Sequence, residues 1–145
     1  MLAGDQETPV PHVMHVLETS LYVADLRQSE GFYRRLFGWP TKMADERMRA
    51  LEIGPGQMLI LFARGGSAAG DDTPRGRIPG HDGGGRLHLA LAIEPDDVGL
   101  WRRRLIDNGV ELLSHVRPEQ GGDSLYFRDP DDHLIELATP GIWDV

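Results

Sequence analysis

The sequence predicts an α+β fold in which two βαβββ modules make one domain. An internal repeat, period-2 alternation in strand-like segments and one apolar helical stripe in each half carry this reading. Segment 54–66 aligns without a gap on segment 129–141 at an offset of 75, matching Pro55 with Pro130, Leu59 with Leu134, Ile60 with Ile135, Ala63 with Ala138 and Gly66 with Gly141. Segment 17–23 aligns on 87–93 at an offset of 70.

The elements follow in order. Residues 1–12 read as a polar tail with two prolines. The first module, 13–64, opens with the strand 17–23. Leu26, Phe32, Tyr33, Leu36 and Phe37 then give a helix its apolar face, and Gly38 supplies its stop. Strands are expected near 39–43, 48–53 and 58–63. The linker 65–85, rich in glycine and holding Asp71 and Asp72, is either a functional lid or a disordered segment. The second module, 86–141, repeats the order. Its strand 87–93 precedes a helix that Pro95 and Asp96 open, Val98, Trp101, Leu105 and Ile106 stripe, and Asn108 and Gly109 end. Strands near 111–116, 123–128 and 133–138 complete it.

Composition narrows the function. A chain of 145 residues that is 40% hydrophobic suits one domain with a real core. No apolar run is long enough to span a bilayer, and no secretory leader is expected. The absence of cysteine removes disulfides, thiolate ligands and thiol nucleophiles, and fits the expected cytoplasmic location. The net charge of −8 disfavours nucleic acid as a partner. The one basic cluster, Arg102 to Arg104, lies in a helical pattern with Trp101 and Leu105.

Alternation assigns faces. Leu17, Leu21 and Val23 share one face of the first strand, and Glu18, Ser20 and Tyr22 the other. In the equivalent strand Leu87, Leu89, Leu91 and Ile93 oppose His88, Ala90 and Ala92. In the last strand Ile135 and Leu137 share the apolar face, and Glu136, aligned with Leu61, points the other way. Around a pseudo-two-fold axis Glu18 pairs with His88, and Leu61 with Glu136. Three of four symmetric positions then carry metal ligands. A single strand histidine is ordinarily a satisfied core or surface residue, and a Glu–His pair needs no metal. Yet an unpartnered buried glutamate costs several kcal/mol, roughly, which makes Glu136 in its apolar strand the more telling residue.

Segments 21–26 (LYVADL), 31–38 (GFYRRLFG), 87–92 (LHLALA) and 124–137 (SLYFRDPDDHLIEL) resemble the vicinal-oxygen-chelate superfamily of glyoxalases, bleomycin-resistance proteins and extradiol dioxygenases, over about 15–141. The resemblance implies eight strands of a mixed sheet curled into a cup around a divalent metal, with the helices outside. It puts ligands at Glu18, where many members have histidine, at His88 and at Glu136. Leu61 departs from the four-ligand glyoxalase I pattern. The resemblance also implies a homodimer in which a second chain can complete the cup.

One imidazole and two carboxylates suit Mn, Ni, Co, Fe or Mg, and less well a closed Zn site. The expected function is a metal-dependent lyase or isomerase of the glyoxalase type acting on a small oxygen-chelating substrate, with Glu18 or Glu136 as the base. An iron(II) dioxygenase and a metal-free drug-sequestering protein are the alternatives. Ser20, Tyr22, His81 and Tyr126 are the expected substrate contacts. The competing reading makes His81 an exposed loop residue and Ser20 and Tyr22 ordinary sheet-face residues. His133 points away from Glu136, and His12, His15 and His115 read as structural or exposed.

Overall fold

The computed structural model describes residues 8–145, so residues 1–7 of the expected tail lie outside the described residues. The first module comprises β1 (Glu18–Val23), α1 (Leu26–Phe37), β2 (Thr41–Ala44), β3 (Met48–Gly54) and β4 (Gln57–Ala63). A small hairpin, β5 (Asp71–Thr73) and β6 (Gly76–Ile78), follows inside the long connection. The second module comprises β7 (His88–Ala92), α2 (Val98–Asp107), β8 (Ser114–Val116), β9 (Ser124–Arg128) and β10 (Leu134–Ala138). Single 3₁₀ turns at Pro95–Asp97 and Pro140–Trp143 introduce α2 and close the chain.

The helix signals act as expected. Asp25 caps α1 by accepting from the Gln28 N–H at 3.0 Å. Gly38, at φ 74°, ends α1 in the left-handed conformation and returns its N–H to the Arg34 carbonyl at 2.9 Å.

Each module folds its strands into a four-stranded mixed sheet, ordered β1-β4-β3-β2 in the first and β7-β10-β9-β8 in the second. The first strand of each module lies at an edge, parallel to the fourth. The eight strands therefore form two four-stranded sheets, and no ladder joins β1 to β7 among the described residues. The expected strand 111–116 shortens to Ser114–Val116, because only those residues enter the ladder with β9.

The ladders correct the repeat alignment by one residue. Glu18 lies opposite Met58 in the first module, and His88 opposite Leu134 in the second. If Glu18 and His88 are equivalent, Ile60 is equivalent to Glu136 and Leu61 to Leu137. Leu61 and Leu137 both lie in the core at 0% exposure. The fourth symmetric position is thus Ile60, and Leu61 never faced the site. The two turns explain the slip. β3 and β4 close around Pro55 and Gly56, whereas β9 and β10 close around the longer turn 129–133. A gapless alignment across turns of unequal length puts one strand out of register, and one residue of slip exchanges the faces.

Helices and sheets share one core. Leu21, Val23, Tyr33, Leu51 and Leu59 from the first module join Leu105, Leu125, Phe127, Ile135 and Leu137 from the second in one buried cluster. Each such side chain stabilises the fold by about 1.5–3 kcal/mol relative to exposure.

Polar clips fix how the modules meet. The Leu87 N–H donates to His133 Nδ1 at 2.9 Å, so the proton sits on Nε2, which donates to the Tyr22 carbonyl at 2.8 Å. His133 is fully buried and structural, in line with the strand alternation. The Tyr33 hydroxyl donates to Asp129 at 2.7 Å, and the Ala24 N–H to Asp131 at 2.8 Å. Arg104 of α2 donates to the last carbonyls of α1, Leu36 and Arg35, at 3.0 and 2.9 Å, where the helix end is partially negative. No helix among the described residues is long and apolar enough to cross a membrane.

Candidate functional site

The polar residues picked out by alternation fall into two groups, one on each sheet. On the second sheet, β7 and β10 bring His88 beside Glu136, with Nε2 3.2 Å from Oε1. His88 Nδ1 is 2.9 Å from the Leu134 carbonyl, which can only accept, so Nδ1 carries a proton. In the neutral imidazole Nε2 then presents its lone pair to a carboxylate oxygen. Two acceptors facing each other at that distance repel unless a proton or a cation lies between them. The other oxygen, Oε2, accepts from the Ser124 hydroxyl at 2.6 Å. Glu136 is 6% exposed, and the imidazole side chain of His88 is 50% exposed, so the pair opens to one side only.

This donor set fits a divalent metal. A ligating histidine ordinarily has its remote N–H fixed by a carbonyl, and a ligating carboxylate has its second oxygen hydrogen-bonded. Both supports are present. Tyr126 lies opposite Glu136 in the ladder, with its ring centroid 6.5 Å from that of His88. Burial and the nearby Glu136 charge hold its phenol above the ordinary range, which keeps the hydroxyl protonated.

Glu18 is elsewhere. It lines a cleft of about 480 Å³ on the first sheet, with Met43, Met48, Phe62, Arg47, Asp71 and His81 among its walls. Among the described residues no group of three His, Asp or Glu side chains could hold a metal ion within one chain. The expected trio is split: His88 and Glu136 meet, and Glu18 stands on the opposite module at the edge strand β1. Ser20 and Tyr22 share its face, as the register of β1 with β4 requires.

The long connection packs over the first sheet and supplies Ser67, Gly70, Asp71, Ile78, Pro79 and His81 to the cleft. Arg47 pairs with Asp71 of the hairpin at 2.9 Å, and Asp82 accepts from the Gly65 N–H at 2.9 Å. His81 Nδ1 lies 2.7 Å from the Tyr22 hydroxyl, and its ring stands edge-on to Phe62 at a centroid distance of 4.5 Å. A side chain at Gly83 would overlap the Tyr22 ring, so only glycine allows the loop this close. His81 is therefore a half-buried wall of the cleft, not an exposed loop residue. Sequence reasoning missed Arg47, Asp71, Phe62 and Ser124. The position of Ser124 two residues before Tyr126, on the same strand face, was the one available signal.

The family model for the Glyoxalase/Bleomycin resistance protein/Dioxygenase superfamily matches residues 10–137. The Metallothiol transferase FosB of Bacillus licheniformis is 40% identical over 123 residues, which is 84% of this chain and 73% of that protein. A lactoylglutathione lyase from Agrobacterium tumefaciens superposes with a TM-score of 0.83 at 28% identity, covering 90% of this chain and 97% of that one. The fosfomycin resistance protein FosX of Listeria monocytogenes, solved with Mn(II) and 1S,2S-dihydroxypropylphosphonic acid, shares the fold at a TM-score of 0.64 and 22% identity, covering 88% of this chain and 90% of that one.

Proposed function

The chain belongs to the glyoxalase, bleomycin-resistance and dioxygenase superfamily, and on that premise we propose that it is a metal-dependent enzyme acting on a small oxygen-chelating substrate at a site that two chains complete. The observation that carries this is the His88–Glu136 pair, whose 3.2 Å approach and fixed outer hydrogen bonds suit two of the three proposed ligands. His88 Nε2 and Glu136 Oε1 would hold the ion, and Glu18 of a second copy would add the third ligand.

Two features support a second copy. Both β1 and β7 are edge strands that present one half-site each. The arm before β1 also exposes Val10, Val13, Met14, Val16 and Leu17, apolar side chains that a chain alone leaves in water.

When bound, a divalent ion acts as a Lewis acid toward a substrate oxygen. The chain's own residues do the remaining work. Ser124 keeps the Glu136 carboxylate turned toward His88, and the Leu134 carbonyl keeps Nε2 free of its proton. The Tyr126 hydroxyl offers a donor beside them. Glu18 or Glu136 would take the proton in a lyase or isomerase reaction. The metallothiol transferase name of the 40% identical relative favours a second reading, addition of a small thiol to an electrophilic substrate.

The test loads metal-stripped protein with Mn²⁺, Ni²⁺ or Fe²⁺. It then follows thioester formation from 2-oxo aldehydes with a thiol, thiol loss with epoxides, and oxygen uptake with catechols. Turnover that requires metal and vanishes in His88→Ala is expected. Turnover by metal-free protein would sink the proposal. Metal-dependent thioester formation selects the lyase, and thiol loss with epoxides selects the transferase.

A further inference from the structure

The cleft beside Glu18 carries a charge pattern unlike that of an anion site. Arg47 is the one Arg or Lys among its described lining residues, and its guanidinium is 2.9 Å from the Asp71 carboxylate of the hairpin. Lys42, on the neighbouring strand, is paired with Glu52 at 3.5 Å. Glu18 and Asp45 are the cleft's other lining carboxylates; Asp45 Oδ1 accepts from the Arg47 and Met48 N–H groups at 2.7 and 3.0 Å. On the second sheet Arg128 shares a face with Tyr126 and is drawn to the Asp132 carbonyl at 3.0 Å. The rest of the cleft lining is largely apolar: Met43, Met48, Phe62 and Ile78, with the His81 ring edge-on to Phe62 at 4.5 Å.

We infer that the inserted hairpin sets the charge of the substrate: Asp71 cancels Arg47, so the cleft takes a neutral or cationic chelating molecule with an aromatic or apolar body and rejects a phosphonate dianion. The inference rests on the proposed chelating function and names its substrate class. Three features carry it. A dianion entering the cleft would meet Glu18 and Asp45, and the one Arg or Lys of the described lining, Arg47, is already paired with Asp71. Two glutamates among the proposed ligands already neutralise a divalent ion, which removes its long-range pull on anions. Phe62, Met43, Met48 and Ile78 give the cleft an apolar lining that suits an aromatic or apolar body.

The probes share one chelating unit and differ in charge: dopamine, 4-methylcatechol and 3,4-dihydroxyphenylacetate, with methylphosphonate as the simple phosphonate. They are titrated calorimetrically without oxygen, with and without Mn²⁺. Dopamine should bind roughly tenfold more tightly than 3,4-dihydroxyphenylacetate, with 4-methylcatechol between them and methylphosphonate weakest. Asp71→Asn frees Arg47 and should shrink this ratio by strengthening the anion. Arg47→Gln should widen it. A folding defect would weaken all probes together and could not drive the two variants in opposite directions. Equal or tighter binding of 3,4-dihydroxyphenylacetate or methylphosphonate to the unmodified protein overturns the inference, as does an unchanged ratio in both variants. The charge order reports on the cleft, and Mn²⁺ dependence reports on the metal site, so the two readings fail separately.

Discussion

His88 and Ser124 play different parts in one pair. The imidazole presents a donor atom, whereas the Ser124 hydroxyl holds Glu136 Oε2 at 2.6 Å so that Oε1 faces the imidazole. Losing an outer hydrogen bond of this kind typically lowers metal affinity about 10- to 100-fold. Ser124→Ala should show that loss in Mn²⁺ titration calorimetry with the fold intact by circular dichroism, and His88→Ala should remove detectable binding. Equal affinity in Ser124→Ala and the unmodified protein would mean that Glu136 is not a ligand. At a second residue, Asp129, burial outweighs its donors Tyr33, His133 and Asp131 and raises the carboxyl above its ordinary value of 3.8. The folded chain thus holds this proton more tightly than the unfolded one. The group's contribution to stability is complete below the ordinary value and is lost as pH rises through the raised one. Urea midpoints for Asp129→Asn, compared with the unmodified protein between about pH 3 and 7, should lack that decline. Parallel curves for the two proteins would refute it.

Among the elements, the hairpin connection is the one that sequence patterns left open, and the structure packs it against the first sheet. Its seat depends on Gly83 lying against Tyr22 and on the bonds from Asp71 and Asp82. Gly83→Val should lift it and speed tryptic cleavage after Arg75 or Arg77 several-fold, because segments with few buried contacts open first. An unchanged cleavage rate would mean that the connection is held independently of Gly83. The strands and helices were legible because period 2 and period 3.6 are local properties of the chain. So were the faces of Glu18, His88 and Glu136, since each follows from its own strand's alternation. The equivalence of Leu61 with Glu136 failed because it crossed two turns of different length, and turn length is not encoded in hydrophobic pattern. His81 was legible only as a histidine in a glycine-rich loop. Its contact with Tyr22 spans 59 positions, and nothing local announces such a contact.

For the whole molecule, the separation of Glu18 from His88 and Glu136 decides what oligomer the proposed chemistry needs. A single chain brings two of the three proposed ligands together and leaves the third on the far module. If the site forms between chains, each site of a two-fold dimer takes Glu18 from one chain and the His88–Glu136 pair from the other. Glu18→Ala and Glu136→Gln chains, made separately, should each be inactive and bind Mn²⁺ weakly. In a dimer of the two variants, one site inherits both defects. The other joins the intact Glu18 of the Glu136→Gln chain to the intact pair of the Glu18→Ala chain. Random reassortment makes about half of the dimers mixed, so refolding the variants together should restore roughly a quarter of the unmodified activity. No restoration, with mixed dimers demonstrated by differently tagged chains, would place the site within one chain and would require the two modules to close on each other.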